Sequence, residues 1–138
     1  MTPIPYDQQP DSERDRMCGA SCVVMVLRSL GEPANRRRIW DVVKLPDRFD
    51  TNYTMTYRLT QYLLERKLRA LAIRVKDPIA TLSSCNGTCV RAILCCRRES
   101  NMDVGHFMVF VRLENNVVVV HDPEKGPNRE KAYGVRQR

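Results

Sequence analysis

The sequence predicts an α+β domain in which helices come first and antiparallel strands follow. Between Gly19 and Leu30, apolar residues recur at helical spacing, whereas after Leu68 they fall into short β-rich runs bounded by polar turns. At 138 residues there is room for one sizeable core and not for two. With no internal repeat, low-complexity tract or Gly/Ser linker, a single domain over 1–138 is expected. It divides into an extended lead-in (1–16), a helical half (17–67) and a β-rich half (68–138).

The lead-in is polar and proline-bearing, so it must gain order from the body it crosses. Val23, Val24, Leu27 and Leu30 then form an apolar stripe, Met25 and Val26 widen it, and Gly31 supplies the stop. A largely buried helix with Cys18 at its N-terminus follows. A shorter helix is expected over 36–43 and a third over about 55–66, where Leu59, Tyr62 and Leu63 line one face. Residues 70–75 alternate and read as a strand ending at Asp77-Pro78. Residues 90–96, 106–113 and 117–122 are three further β-rich runs, the last two joined by Glu114-Asn115-Asn116.

Composition narrows the function. Hydrophobic residues at 43% and charged residues at 28% exclude a collagenous or disordered chain. The longest apolar stretch, 20–27 interrupted only by Ser21, falls far short of the ~20 residues of a spanning helix, so a soluble protein without membrane insertion is expected. Residues 1–7 lack the basic start and apolar stretch of a signal peptide, which argues against export on a signal of its own. The net charge of +7 comes from short clusters, Arg36-Arg37-Arg38, Arg97-Arg98 and 136–138, outside any finger, helix-turn-helix or RNP-like pattern. Nucleic acid is therefore not the expected partner, while acidic peptides are favoured by the charge.

Six cysteines in a chain with a full apolar inventory read as reduced thiols, hence a reducing compartment, the cytoplasm. The spacings Cys18-x3-Cys22, Cys85-x3-Cys89 and Cys95-Cys96 lack the two-residue gap of structural zinc knuckles, and neither histidine completes a set; no metal is expected. Cys22 lies one turn after Cys18 and is expected to pack beneath it. Cys85 and Cys89 flank the Asn86-Gly87 turn, and Cys95 and Cys96 end a strand pointing opposite ways.

Cys18 is the thiol in a reactive position. A sulfur at the start of a helix lies near exposed peptide N–H groups and the positive end of the dipole, which favours thiolate, and Gly19 lets another segment approach beside it. Any imidazole base must be His106 or His121, the two histidines of the chain. Adjacent strand residues point to opposite faces, so His121 and Asp122 should not share a site, whereas His106 and Asp122 can. A two-residue loop at Asn115-Asn116 would put His106 and Asp122 on opposite faces. An odd loop, Glu114-Asn115-Asn116, or a bulge brings Asp122 opposite Met108 and diagonal to His106, and is therefore expected. Singly, each residue has a plain structural use: Cys18 as a small buried residue, His106 at a sheet edge, Asp122 opening the Asp122-Pro123 turn.

Together they carry a resemblance. Cys18-Gly19-Ala20-Ser21-Cys22 opening an apolar helix, Gly105-His106-Phe107 opening a strand and His121-Asp122-Pro123-Glu124-Lys125-Gly126 closing the next are similar to peptidase family C39, the papain-like cysteine peptidases that trim leader peptides. The resemblance covers nearly the whole chain. It implies a papain-like fold with Cys18 as nucleophile, His106 as general base then acid, Asp122 orienting His106, and no cofactor. It also implies an upstream glutamine in the oxyanion hole; Gln8 and Gln9 are the candidates and Gln9 is preferred. Two features depart from the family pattern: 10–17 is longer, so Gln9 needs a loop that folds back, and Ala20 stands where proline is common.

The implied substrate is a leader peptide ending in two small residues, typically a double glycine. The implied partners are an ABC exporter or, for a toxin-type effector domain acting in the cytosol of a target cell, a cognate inhibitor (immunity) protein. A non-catalytic peptide-binding module and a papain-like amidase or acyltransferase are the alternatives.

Overall fold

The computed structural model describes residues 3–11, 16–45, 54–97 and 105–132. Helices α1 (Cys18–Ser29), α2 (Arg36–Val43), α3 (Thr56–Glu65) and α4 (Pro78–Cys85) precede strands β1 (Ile93–Arg97), β2 (Gly105–Glu114), β3 (Val117–Asp122) and β4 (Gly126–Ala132). The strands form one antiparallel sheet in the order β1-β2-β3-β4. This is the α+β architecture the sequence predicts. Among the described residues, no helix is long and apolar enough to cross a membrane. The cluster at 136–138 and Arg98 lie outside the described residues.

The sheet separates two apolar layers because β2 alternates. Phe107 and Val109 join α1, Trp40 and Ile39 of α2 and Leu59 of α3 in the main core, while Met108 and Phe110 meet Val118, Val120 and Leu82 of α4 on the other side. Helix α1 is buried around its circumference, Arg28 being its one exposed side chain. Its sequence is apolar beyond the predicted stripe because α2, α3 and the sheet enclose it. Asn35 caps α2 by accepting the Arg38 N–H at 3.0 Å.

Two expectations are corrected and one strand is added. Residues 70–75 form no strand: Leu71, Ile73 and Val75 are 75%, 64% and 39% exposed, and no described strand pairs with them. Alternation marks a strand only where a neighbour completes the ladder. The Asp77-Pro78 pair does not end a strand but opens α4, with Asp77 accepting the Ala80 N–H at 3.1 Å and Pro78 in the first turn. Finally, β4 was not foreseen: Gly-Pro-Asn-Arg-Glu-Lys-Ala has no apolar alternation, and it forms as a polar edge strand through its ladder to β3.

The β2–β3 connection shows why Asp122 faces His106. The turn is the two-residue type, with Asn115 and Asn116 both left-handed at φ 51° and 62°, rather than a three-residue loop. The change of register comes from a bulge: Arg112 pairs with Val119 and Phe110 with Val120, leaving Val111 as the extra residue. Beyond it Val109 pairs with His121, so Asp122 falls on the face of Met108 and His106.

Gly19 sits where α1 meets the sheet. A Cβ there would stand 2.7 Å from Thr54 Cγ2 and 3.2 Å from Leu59 Cδ1 and Phe107 Cδ2. Overpacking of this kind costs about 1–3 kcal/mol, against about 1 kcal/mol that alanine gains over glycine in a helix. Gly19→Ala should therefore lower stability by about 1 kcal/mol, read from urea denaturation; a gain in stability would contradict the packing at this contact.

Candidate active site

Three elements converge on one point. Cys18 is the first residue of α1, His106 the second of β2 and Asp122 the last of β3. The N-cap of α1 is Met17, which supplies no side-chain hydrogen bond, and its first turn contains no acid. The opening N–H groups beside Cys18 therefore lack the usual capping partner.

His106 is held from one side. Its Nε2 lies 2.7 Å from Asp122 Oδ1, an oxygen that also accepts the N–H groups of Glu124 at 2.9 Å and Lys125 at 3.2 Å. An acceptor at Nε2 assigns the proton there, leaving Nδ1 as the basic nitrogen. Nδ1 is buried and closes no full hydrogen bond, and the Cys18 thiol is the neighbour that couples to the ring.

Burial opposes the charge on His106, but the hydrogen bond to Asp122 and the nearby Cys18 thiol outweigh it and raise its pKa to about 9. Burial likewise works against ionised Asp122, yet the bonds from His106 and from the Glu124 and Lys125 N–H groups hold its carboxyl below the usual range. Both shifts favour carboxylate beside imidazolium. Because the folded value of His106 lies above the ordinary 6.5, its contribution to stability is complete below pH 6.5 and is lost as the pH rises through about 9.

The lead-in supplies Gln9. Residues 3–10 carry no helix or strand and run as a strap against the β3–β4 turn, where the Gln9 N–H donates to the Pro123 carbonyl at 2.9 Å. Tyr6 Oη lies 2.7 Å from the Asp122 carbonyl, and Asp7 pairs with Arg36 at 2.8 Å and Arg28 at 3.5 Å. Gln9 is 8% exposed, its Oε1 is buried without a partner, and its side-chain amide makes no hydrogen bond among the described residues. Gln8 is exposed and engaged, accepting at Oε1 from Tyr6 and donating to the Glu124 carbonyl at 3.3 Å. Of the two candidates, Gln9 is the one whose amide is uncommitted. Residues 12–15 of the connection to Cys18 lie outside the described residues.

A family model described as the Peptidase C39 family matches residues 5–133. The chain belongs to the peptidase C39 family. No curated protein matches it. In this C39 chain the residues singled out from sequence are all buried, Cys18 at the N-terminus of α1, His106 and Asp122 at the ends of β2 and β3, and Gln9 against Pro123.

The remaining thiols take lesser places. All six cysteines are free. Cys22 is wholly buried beneath Cys18, and burial pushes its thiol well above the ordinary value. Cys95 and Cys96 are exposed on β1, paired with Phe107 and His106. Among the described residues, no group of three or more His, Cys, Asp or Glu is arranged to hold a metal.

His121, on the opposite face of β3 from Asp122, turns away from His106 as strand geometry requires. Its Nε2 lies 2.8 Å from the Ile4 carbonyl and its Nδ1 accepts the Asn128 N–H at 3.1 Å. Tyr6 and His121 were missed as parts of the setting. The signal was slight: an aromatic residue in the lead-in and a histidine on the face opposite Asp122.

Replacing the carboxylate tests the electrostatics. Asp122→Asn removes the negative charge that holds the proton on His106, so the His106 titration midpoint, followed by ring-proton NMR, should fall from about 9 by more than one unit. An unchanged midpoint would show that Asp122 does not set it.

Proposed function

We propose that this C39 chain is a cysteine peptidase that hydrolyses a peptide bond through Cys18, His106 and Asp122, with Gln9 in the oxyanion hole. One observation carries the reading: Asp122 occupies Nε2 of His106 and leaves Nδ1 free on the side of Cys18, at an uncapped helix N-terminus. That order of thiol, open ring nitrogen and carboxylate supports reading them as nucleophile, base and the group that orients the base.

His106 Nδ1 takes the proton of Cys18 Sγ, forming a thiolate and an imidazolium. Sγ attacks the scissile carbonyl carbon, and the carbonyl electron pair moves to oxygen, where the Cys18 N–H and Gln9 Nε2 donate to it. Collapse of this tetrahedral species breaks the C–N bond, and the Nδ1 proton passes to the departing amine. An acyl-enzyme remains. His106 then takes a proton from water, hydroxide adds to the thioester carbonyl, and Sγ leaves with the proton returned by His106. Asp122 accepts the Nε2 proton's hydrogen bond throughout and stays ionised.

The substrate is read from access. Cys18, His106 and Asp122 are 3%, 7% and 2% exposed, which suits an extended backbone with small residues before the scissile bond, as in a leader ending in two glycines. The net charge of +7 favours acidic leaders. As a free-standing enzyme or an exporter domain it would trim such a leader; as an effector it would act in the cytosol of a target cell and require a cognate inhibitor.

Peptides carrying Gly-Gly at an internal position, analysed by mass spectrometry, test this reading. Cleavage is expected after the second glycine, and none with Cys18→Ala. Gln9→Ala should lower kcat about a hundredfold, the usual cost of one oxyanion donor, and Asp122→Ala should hurt less than Cys18→Ala. Cleavage that persists in Cys18→Ala would refute the mechanism.

A further inference from the structure

His121 lies outside the proposed machinery, yet it is buried at 5% and both ring nitrogens are engaged. The Asn128 N–H can only donate, so Nδ1 must accept; the proton is then on Nε2, and it donates to the Ile4 carbonyl. A single tautomer thus fastens two segments distant in sequence: the strap, and β4 at Asn128, a non-glycine residue held at the left-handed φ of 52°. The ring also meets Tyr6 edge-on, with centroids 5.6 Å apart, and Tyr6 Oη lies on the Asp122 carbonyl. Beyond Tyr6, the same strap carries Gln9 to the Pro123 carbonyl.

We infer that His121 is a positioning residue whose Nε2–H, by holding the Ile4 carbonyl, anchors the strap and so places the Gln9 amide for the oxyanion. The inference rests on the role proposed above for Gln9. His121 touches no reacting atom: it sits on the face of β3 opposite Asp122, and its effect passes through the strap. Only one of its two hydrogen bonds is required for this, which makes the idea separable from a general packing role. Gln at 121 carries an N–H donor near the position of Nε2 and preserves the bond to Ile4. Asn at 121 carries an acceptor near the position of Nδ1 and preserves the bond to Asn128.

The test uses acetyl-glycyl-glycinal, whose aldehyde carbon adds Sγ of Cys18 to give a hemithioacetal with its oxygen in the oxyanion position. Its affinity is measured by protection of Cys18 from iodoacetamide, and the uninhibited alkylation rate reports the thiol alone. His121→Asn is expected to weaken the aldehyde about tenfold and His121→Gln less than threefold, with alkylation unchanged in both. A variant lacking residues 1–4, which removes the Ile4 carbonyl and leaves His121 intact, should match His121→Asn and keeps the test open should that variant fail to fold. Equal affinity in wild type and Gln9→Ala would overturn the role of Gln9 and this inference with it. A full effect of Gln9→Ala with no separation between the two His121 variants, or with the truncated chain binding as wild type does, would overturn this inference alone.

Discussion

The hydrogen bond between His106 and Asp122 depends on one residue of β2 that has no partner. The turn at Asn115-Asn116 alone would pair the strands so that these side chains pointed to opposite faces of the sheet; the bulge at Val111 reverses this for every position beyond it. His106 and Asp122 then meet at 2.7 Å in a buried setting, and that contact determines which ring nitrogen carries the proton and which faces Cys18. A buried histidine–carboxylate pair is costly unless its remaining polar atoms are satisfied, and Glu124 and Lys125 meet that need at Asp122 Oδ1 through the turn immediately after it. Nδ1 is the buried polar atom of the pair left without a bond. In the mechanism proposed above, this unsatisfied buried nitrogen is the one that takes the proton of the Cys18 thiol.

The helical half brings the sulfur to that nitrogen. Helix α1 is buried on all sides, and its contact with β2 is close because Gly19 leaves room for Phe107 and Leu59. The absence of a cap fits the proposed mechanism, since a side chain bonded to the first N–H groups would occupy the space in which that mechanism puts the substrate's oxyanion. On the far side the strap is tied to α1 and α2 through Asp7 and to β3 through Tyr6 and His121, and it carries buried Gln9 against Pro123 at the end of β3. Its order comes from the body it crosses, since its own residues make neither helix nor strand.

Much of this is legible in the sequence, and the reasons for the rest are physical. Helices α1 to α3 announce themselves by apolar period and by Gly31, and β2 and β3 by their β-branched runs. Face geometry separates His121 from Asp122 and demands an odd loop or a bulge, but one residue inserted anywhere along the hairpin meets the demand, so its place at Val111 is visible only in the register. Residues 70–75 mislead because alternation describes a strand's faces and says nothing of its neighbour. In α4 the cap and the proline were present as Asp77-Pro78, yet the same pair also reads as the end of a strand. The polar strand β4 and the contacts of Tyr6 and His121 depend on tertiary pairing across more than a hundred residues in the case of the strap, which local pattern does not encode.

The proposed mechanism requires His106 to take the proton of Cys18. Its most direct test is the rate at which iodoacetamide modifies each of the six cysteines at mildly acidic pH, resolved by peptide mapping in the wild type and in His106→Ala. The account predicts that Cys18 reacts far faster than exposed Cys89 although it is the more buried, and that His106→Ala abolishes the difference. A Cys18 that reacts no faster than Cys89, or whose rate is indifferent to His106, would contradict it.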